Sequence, residues 1–128
     1  MTGHVLFDAI DPDNCVTVSA KGVEEVIRGH IGFDGLLLSD DLSMQALGGS
    51  LGDRAGRALA AGCDIALHCN GRMDEMTEIA AQSGLLSDRA ARRFEAGRRF
   101  LARHRAPGGR TGLADAAKRL TEILPEWG

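Results

Sequence analysis

The stretch Gly35-Leu36-Leu37-Leu38-Ser39-Asp40-Asp41-Leu42-Ser43 constrains this chain more than any other, because a fully apolar run stops abruptly on two carboxylates. A short run without polar alternation predicts a strand covered on both faces, as in a parallel sheet. The C-terminal strand ends of such a sheet frame its working face, so carboxylates fixed there stand where chemistry is done.

The same order of strand, loop and helix recurs on both sides of this run. His4-Val5-Leu6-Phe7 predicts a first strand, followed by turn residues Asp11-Pro12-Asp13-Asn14. Ser19 is placed to cap a helix whose apolar residues Val23, Val26, Ile27 and Ile31 recur at helical spacing. A short helical turn is expected from Ser43 to Leu47, then a helix with Leu51, Ala55, Ala58 and Leu59 on one face and Gly62 as its C-cap. Asp64 to Cys69 predicts a third strand, and Met73, Met76, Ile79 and Ala80 the helix after it. Ser87 caps a longer helix with Ala90, Ala91, Phe94 and Leu101 as its apolar stripe, and five arginines between Arg89 and Arg99 mostly on the solvated face. Pro107-Gly108-Gly109 breaks the pattern before a last amphipathic segment carrying Leu113, Ala117, Leu120, Ile123 and Leu124.

Three strand-helix units in succession give a parallel α/β sheet with right-handed crossovers, either an open sheet or an arc of a barrel. Three parallel strands by themselves leave two free edges and a thinly covered face, so the globule is expected to be incomplete. The expected organisation is a partial barrel over 1–105 and a linker with a C-terminal helix over 106–128.

Composition narrows the function. A formal charge of -3 over 128 residues, without a basic stripe, argues against nucleic acid. No apolar segment reaches the roughly 20 residues that span a bilayer. Cys15, Cys63 and Cys69 leave one thiol unpaired in any disulfide scheme, which suits a reducing compartment. Cys63, His68 and Cys69 are close in sequence, but their spacing fits no zinc pattern.

Asp40 ends the central strand and is the candidate nucleophile of a retaining glycosidase, in which one carboxylate attacks the anomeric carbon while a separate acid protonates the leaving oxygen. Asp41 points elsewhere and is expected to cap the helical turn near Ser43. Two other readings stay open: both aspartates solvate a turn, or both ligate magnesium in a phosphoryl-transfer site. The magnesium reading needs a phosphate-binding lysine at a strand end, and Lys21 and Lys118 both fall on helical segments. His4 is expected near the barrel axis or the site mouth, as a core histidine or a substrate contact, and His68 and Asn70 end the third strand beside the same space.

Ile31-Gly32-Phe33-Asp34-Gly35 leading into Leu38-Ser39-Asp40-Asp41-Leu42-Ser43-Met44, then Leu51-Gly52-Asp53-Arg54-Ala55, Ala60-Ala61-Gly62-Cys63-Asp64 and Cys69-Asn70, resembles the bacterial β-N-acetylhexosaminidases of glycoside hydrolase family 3. Met1-Thr2-Gly3-His4-Val5 resembles the strand that precedes these motifs. The resemblance implies the last three strand-helix units of a (β/α)8 TIM-type barrel, with Asp40 as catalytic nucleophile and His4, Met44 and Asn70 as substrate-binding candidates. It also implies a cytoplasmic enzyme of cell-wall recycling that releases terminal N-acetylglucosamine from peptidoglycan fragments, with retention and without metal or other cofactor. The family's general acid is a histidine in a Lys-His-Phe-Pro-Gly-His-Gly type motif, which does not occur in this sequence. The expectation is therefore a C-terminal fragment that carries the nucleophile, is inactive alone, and needs the earlier strands. The alternative is a non-catalytic module that self-associates.

Overall fold

The computed structural model describes residues 1–104 together with 115, 116, 118, 119 and 122. The chain forms two compact units, Met1–Arg98 and Arg99–Gly128. After a 3-10 turn at Val16–Val18 come a helix at Lys21–His30, strand β1 (Leu38–Asp41), helix α1 (Leu51–Ala60), strand β2 (Ile65–Leu67), helix α2 (Met73–Ser83) and helix α3 (Asp88–His104). The architecture is α/β, and β1 and β2 pair in parallel. No described helix is long and apolar enough to cross a membrane.

Local capping explains where the helices begin and end. The Ser19 hydroxyl oxygen accepts the Gly22 N–H at 3.0 Å, satisfying one of the donors a helix start leaves unpaired. The helix it opens is wound wide, so that Ile31 N–H reaches back five residues to the Val26 carbonyl at 2.8 Å. Ser50 and Asp53 form a reciprocal capping box at the start of α1. Gly62 ends α1 at φ +110°, and a side chain there would meet Cγ1 of the fully buried Val23 at 2.9 Å, so both conformation and space call for glycine. Ser87 Oγ accepts the Ala90 N–H at 3.2 Å at the start of α3.

Two apolar clusters hold the first unit. Leu42, Leu47, Ala55, Ala58 and Ile79 bring the segment after β1 against α1 and α2, while Val23, Leu37, Ala61 and Cys63 join the first helix to the strand entrances. Leu42 is completely buried, so truncating it to alanine costs about 3 kcal/mol. Burial also pushes the Cys63 thiol up to about 11, which keeps it protonated and inert.

The β1–β2 ladder is irregular in a way that the apolar pattern does not announce. Leu38 pairs with Ile65 and Asp41 with Leu67, so β1 carries one more residue than β2 between the pairs. The buried Ser39 fills the gap: its hydroxyl accepts the Leu67 N–H at 2.9 Å and donates to the Asp40 carbonyl at 2.8 Å. This is a bulge, a device that turns side chains at a strand end. The strand also starts later than the Leu36-Leu37-Leu38 run, and the carboxylates belong to it.

Three expectations are corrected. His4–Phe7 is no strand: Val5, Leu6 and Phe7 stay about half exposed, and Phe7 makes only an isolated bridge to Asp11. The N-terminal segment meets β1 through one backbone bond, from the Thr2 N–H to the Leu38 carbonyl at 2.9 Å, and through the Thr2 and His4 side chains, too little backbone pairing for a ladder. Ser43–Leu47 is an irregular turn, because the Asp41 carboxylate closes a local turn with Ser43. On α3 the apolar stripe is not the buried face: Ala91 and Phe94 are exposed, whereas Ala90 and Arg93 are buried. Arg93 faces inward because two carboxylates meet it, Asp34 Oδ1 at 2.6 Å and Asp64 Oδ1 at 3.0 Å.

In the second unit His104 stacks on Phe100 with ring centroids 4.1 Å apart. The apolar face expected for the C-terminal helix, Leu113, Ala117, Leu120, Ile123 and Leu124, lies outside the described residues.

Candidate active site

Asp41 is the junction of the site. Its carbonyl accepts from His4 Nε2 at 3.0 Å and from the Met44 N–H at 3.2 Å. Its carboxylate accepts the Ser43 N–H at 3.0 Å, the Ser43 hydroxyl at 2.6 Å and the Cys69 N–H at 3.2 Å. The Ser43 hydroxyl, more than the backbone donors, holds this carboxyl below the ordinary carboxylate range against the opposing effect of burial. Asp41 is thus an ionised latch that ties the end of β1 to the end of β2. With both oxygens facing N–H and O–H donors, it is not presented alongside Asp40 as a second metal-facing carboxylate.

Asp40 is arranged differently. It is half buried at the end of β1, and its N–H donates to Thr2 Oγ1 at 3.2 Å. Its Oδ1 accepts the Asp41 N–H at 2.9 Å. No described residue donates to Oδ2, and no cation pairs with the group among the described residues. One oxygen is anchored and the other is open, the arrangement a carboxylate nucleophile needs.

The other expected site residues divide. His4 is brought against Asp41, and both its ring nitrogens are engaged, Nδ1 with Thr17 Oγ1 at 2.9 Å and Nε2 with the Asp41 carbonyl. Met44 is exposed beside the same strand end. Asn70 follows Cys69, but its side chain serves the turn into α2: Oδ1 accepts the Arg72 N–H at 2.9 Å and Nδ2 donates to Glu75. His68 has a side chain only 6% exposed, with Nε2 3.3 Å from Glu75 Oε2.

Sequence reasoning missed three contributors. Thr2 and Thr17 are buried hydroxyls joined to each other at 3.0 Å. Arg54, within the Leu51–Ala55 motif, reaches from α1 to the carbonyls of Leu42, Met44 and Gly49 at 2.9, 3.1 and 3.1 Å, and so holds the whole segment after the aspartates. The motif placed Arg54 near the site, but nothing local tells an arginine that binds carbonyls from one that is solvated.

Residues 1–96 match the N-terminal domain of glycosyl hydrolase family 3. A β-hexosaminidase of Nitrosomonas eutropha is 46% identical over 72 residues, 55% of this chain and 20% of the relative. One of Pseudomonas aeruginosa is 43% identical over 84 residues, 63% and 25%, and one of Tolumonas auensis 39% over 94 residues, 72% and 27%. The chain therefore spans between a fifth and about a quarter of these relatives' length. With the family's domain matched over three quarters of its residues, the chain belongs to glycosyl hydrolase family 3.

Proposed function

We propose that this chain is the nucleophile-bearing part of a retaining β-N-acetylhexosaminidase, and that Asp40 is the nucleophile. The observation that carries the proposal is the Asp40 carboxylate itself: one oxygen held by the next residue's N–H, the other open, at the C-terminal end of a parallel strand. Oδ2 attacks the anomeric carbon, the bond to the leaving oxygen breaks, and the leaving oxygen takes a proton from a separate acid. Water then cleaves the glycosyl ester and regenerates the carboxylate. The names of the relatives support a hexosaminide as substrate, and terminal N-acetylglucosamine on peptidoglycan fragments, processed in the cytoplasm during cell-wall recycling, is the substrate class we assign.

The two strands and their helices occupy the late strand-helix units of a (β/α)8 barrel in this reading. The proton donor and the groups that clasp the sugar are in this reading supplied by segments other than the matched ones, which make up 20–27% of the relatives' length. Cleavage needs leaving-group protonation and positioning together, so the chain by itself turns over negligibly.

The test is complementation. This chain is co-expressed with the part of the Pseudomonas aeruginosa relative outside the matched segment and assayed with a chromogenic N-acetyl-β-glucosaminide. Turnover should appear in the mixture, be lost in Asp40→Asn, and leave a glycosyl adduct on the Asp40 peptide when a slow fluorosugar substrate is used. Activity that survives Asp40→Asn would remove the nucleophile assignment. Robust turnover by this chain alone would remove the claim that it depends on other segments.

A further inference from the structure

Three buried or half-buried polar side chains lie behind the two aspartates and are joined in a row: Thr2, Thr17 and His4. The row begins at the Asp40 N–H, which donates to Thr2 Oγ1, and ends at the Asp41 carbonyl, which accepts from His4 Nε2. It therefore returns to the same dipeptide from which it starts. A carbonyl oxygen only accepts, so Nε2 carries a hydrogen. In the neutral imidazole Nδ1 is then an acceptor, and the Thr17 hydroxyl must donate to it. Thr17 has a single hydroxyl hydrogen, so the 3.0 Å contact between the threonines is filled by the Thr2 hydroxyl. With a neutral imidazole the row runs in one direction, Asp40 N–H to Thr2, Thr2 to Thr17, Thr17 to His4 and His4 to the Asp41 carbonyl, with the Cys63 thiol beside the Thr2 hydroxyl.

We propose that His4, through Thr17 and Thr2, is a positioning residue that fixes the Asp40–Asp41 dipeptide and so aims the Asp40 carboxylate, and is not itself a contact to the sugar. Neither ring nitrogen remains for a substrate, since both are spent on protein partners. The row holds Asp40 at its N–H and the following residue at its carbonyl, with the intervening carbonyl taken by the Ser39 hydroxyl. The polar atoms of this backbone stretch are thereby bound on all sides, leaving the carboxylate as the group free to meet a ligand. A fully buried hydroxyl such as Thr17 is costly unless paired, so the row is all or nothing: loss of one member strands the others. The role in aiming a nucleophile rests on the proposed function, while the hydrogen-bond row is testable without it.

The test is NMR of the isotope-labelled full chain. The His4 nitrogens should show Nε2 protonated and Nδ1 as an acceptor, with a slowly exchanging Thr17 hydroxyl proton. His4→Gln places an amide hydrogen and a carbonyl oxygen at a similar spacing, and should keep the Asp40 N–H protected. His4→Leu and Thr17→Val should each speed its exchange by about tenfold or more, the loss of roughly one paired buried hydrogen bond, and shift the Asp40 carboxyl signal. The exposed face of α3, for example Ala91, should not change. A protonated Nδ1 with a bare Nε2 would overturn the proposal, as would unchanged Asp40 signals in folded Thr17→Val. So would movement of the His4 ring nitrogens away from Thr17 on adding N-acetylglucosamine. If His4→Leu fails to fold, the wild-type tautomer and Thr17→Val still decide. Failure of the sugar adduct to form on Asp40 refutes the proposed function and leaves these signals untouched.

Discussion

The two ends of the short parallel sheet both collect charged side chains, and they do opposite things with them. At the N-terminal end, Asp64 is 5% exposed and accepts Arg28 at 2.8 Å, Arg93 at 3.0 Å and the Leu37 N–H at 2.9 Å. Arg28 also binds the carbonyls of Phe33 and Gly35 at 2.8 Å each, and Arg93 reaches on to Asp34. Each carboxylate there meets a guanidinium. At the C-terminal end the carboxylates are held by neutral donors, N–H groups and the Ser43 hydroxyl, and Asp40 keeps an oxygen open. A charge that only holds a fold is neutralised by its neighbours. A charge kept without a counter-cation, on a strand end braced from behind, is available for another molecule.

The largest effect that sharpens this contrast is on chemistry. Asp40→Asn should remove turnover from the complemented enzyme by at least about a thousandfold, or about 4 kcal/mol of barrier, with thermal stability nearly unchanged. The paired measurement is at the other end. Asp64→Ala strands two buried guanidinium groups and a backbone N–H together, so unfolding in urea should show a loss of about 3 kcal/mol. If instead Asp40→Asn destabilises the chain and Asp64→Ala does not, the assignment of one end to function and the other to folding is reversed.

How much of this was legible in the sequence follows from how far each interaction reaches. Ser19 and Ser87 cap what they were expected to cap, because a cap acts over three residues of chain. Gly62 ends α1 for the same local reason. The apolar run placed the aspartates at a strand end of a parallel pair. The bulge at Ser39 was not legible, since it is made with Leu67 on the other strand, 28 residues away. The arginines of α3 were read as mostly solvated without Arg93 being singled out, because helical spacing knows nothing of Asp34 and Asp64, which lie 59 and 29 residues away. The strand expected at His4–Phe7 failed on the converse: its composition suits a strand, but a strand also needs an edge to pair with. Of the site, the placement of the two aspartates at a strand end was readable, and the hydrogen bonds that brace them from Thr2 and His4 were not.

A smaller effect probes the segment between the two regions. Arg54→Ala releases three carbonyls along the chain after Asp41 and should cost about 1 kcal/mol, with faster amide exchange confined to the Leu42–Gly49 segment. Arg54→Lys should recover only part of this, since an ammonium lacks the planar fork that spans several acceptors. Loosening that spreads equally to the Arg93 cluster would show that the two ends are not independent.

The smallest effect separates the two kinds of support by acid and salt. Asp41 and Asp34 both titrate below the ordinary carboxylate value, Asp41 chiefly through the Ser43 hydroxyl and Asp34 chiefly through its bond to Arg93. For a carboxyl whose folded value is lowered, the unfolded chain binds the proton more readily. Its stabilising contribution is therefore complete above the unfolded value near about 4 and is lost as pH falls through the lowered folded value. Salt should treat the two differently. Asp34 is 88% exposed at its side chain and partly held by a charge, so raising the ionic strength should move its titration back toward the ordinary value. Asp41 is held chiefly by neutral donors, with the smallest share from the charge of His68, and should move less, whereas Ser43→Ala should raise its titration at any salt concentration. Carboxyl carbon NMR between pH 2 and 6 at low and high salt reads both groups in one series. Equal salt shifts at Asp34 and Asp41 would mean that the C-terminal end is supported by charge after all, and the distinction between the two ends would collapse.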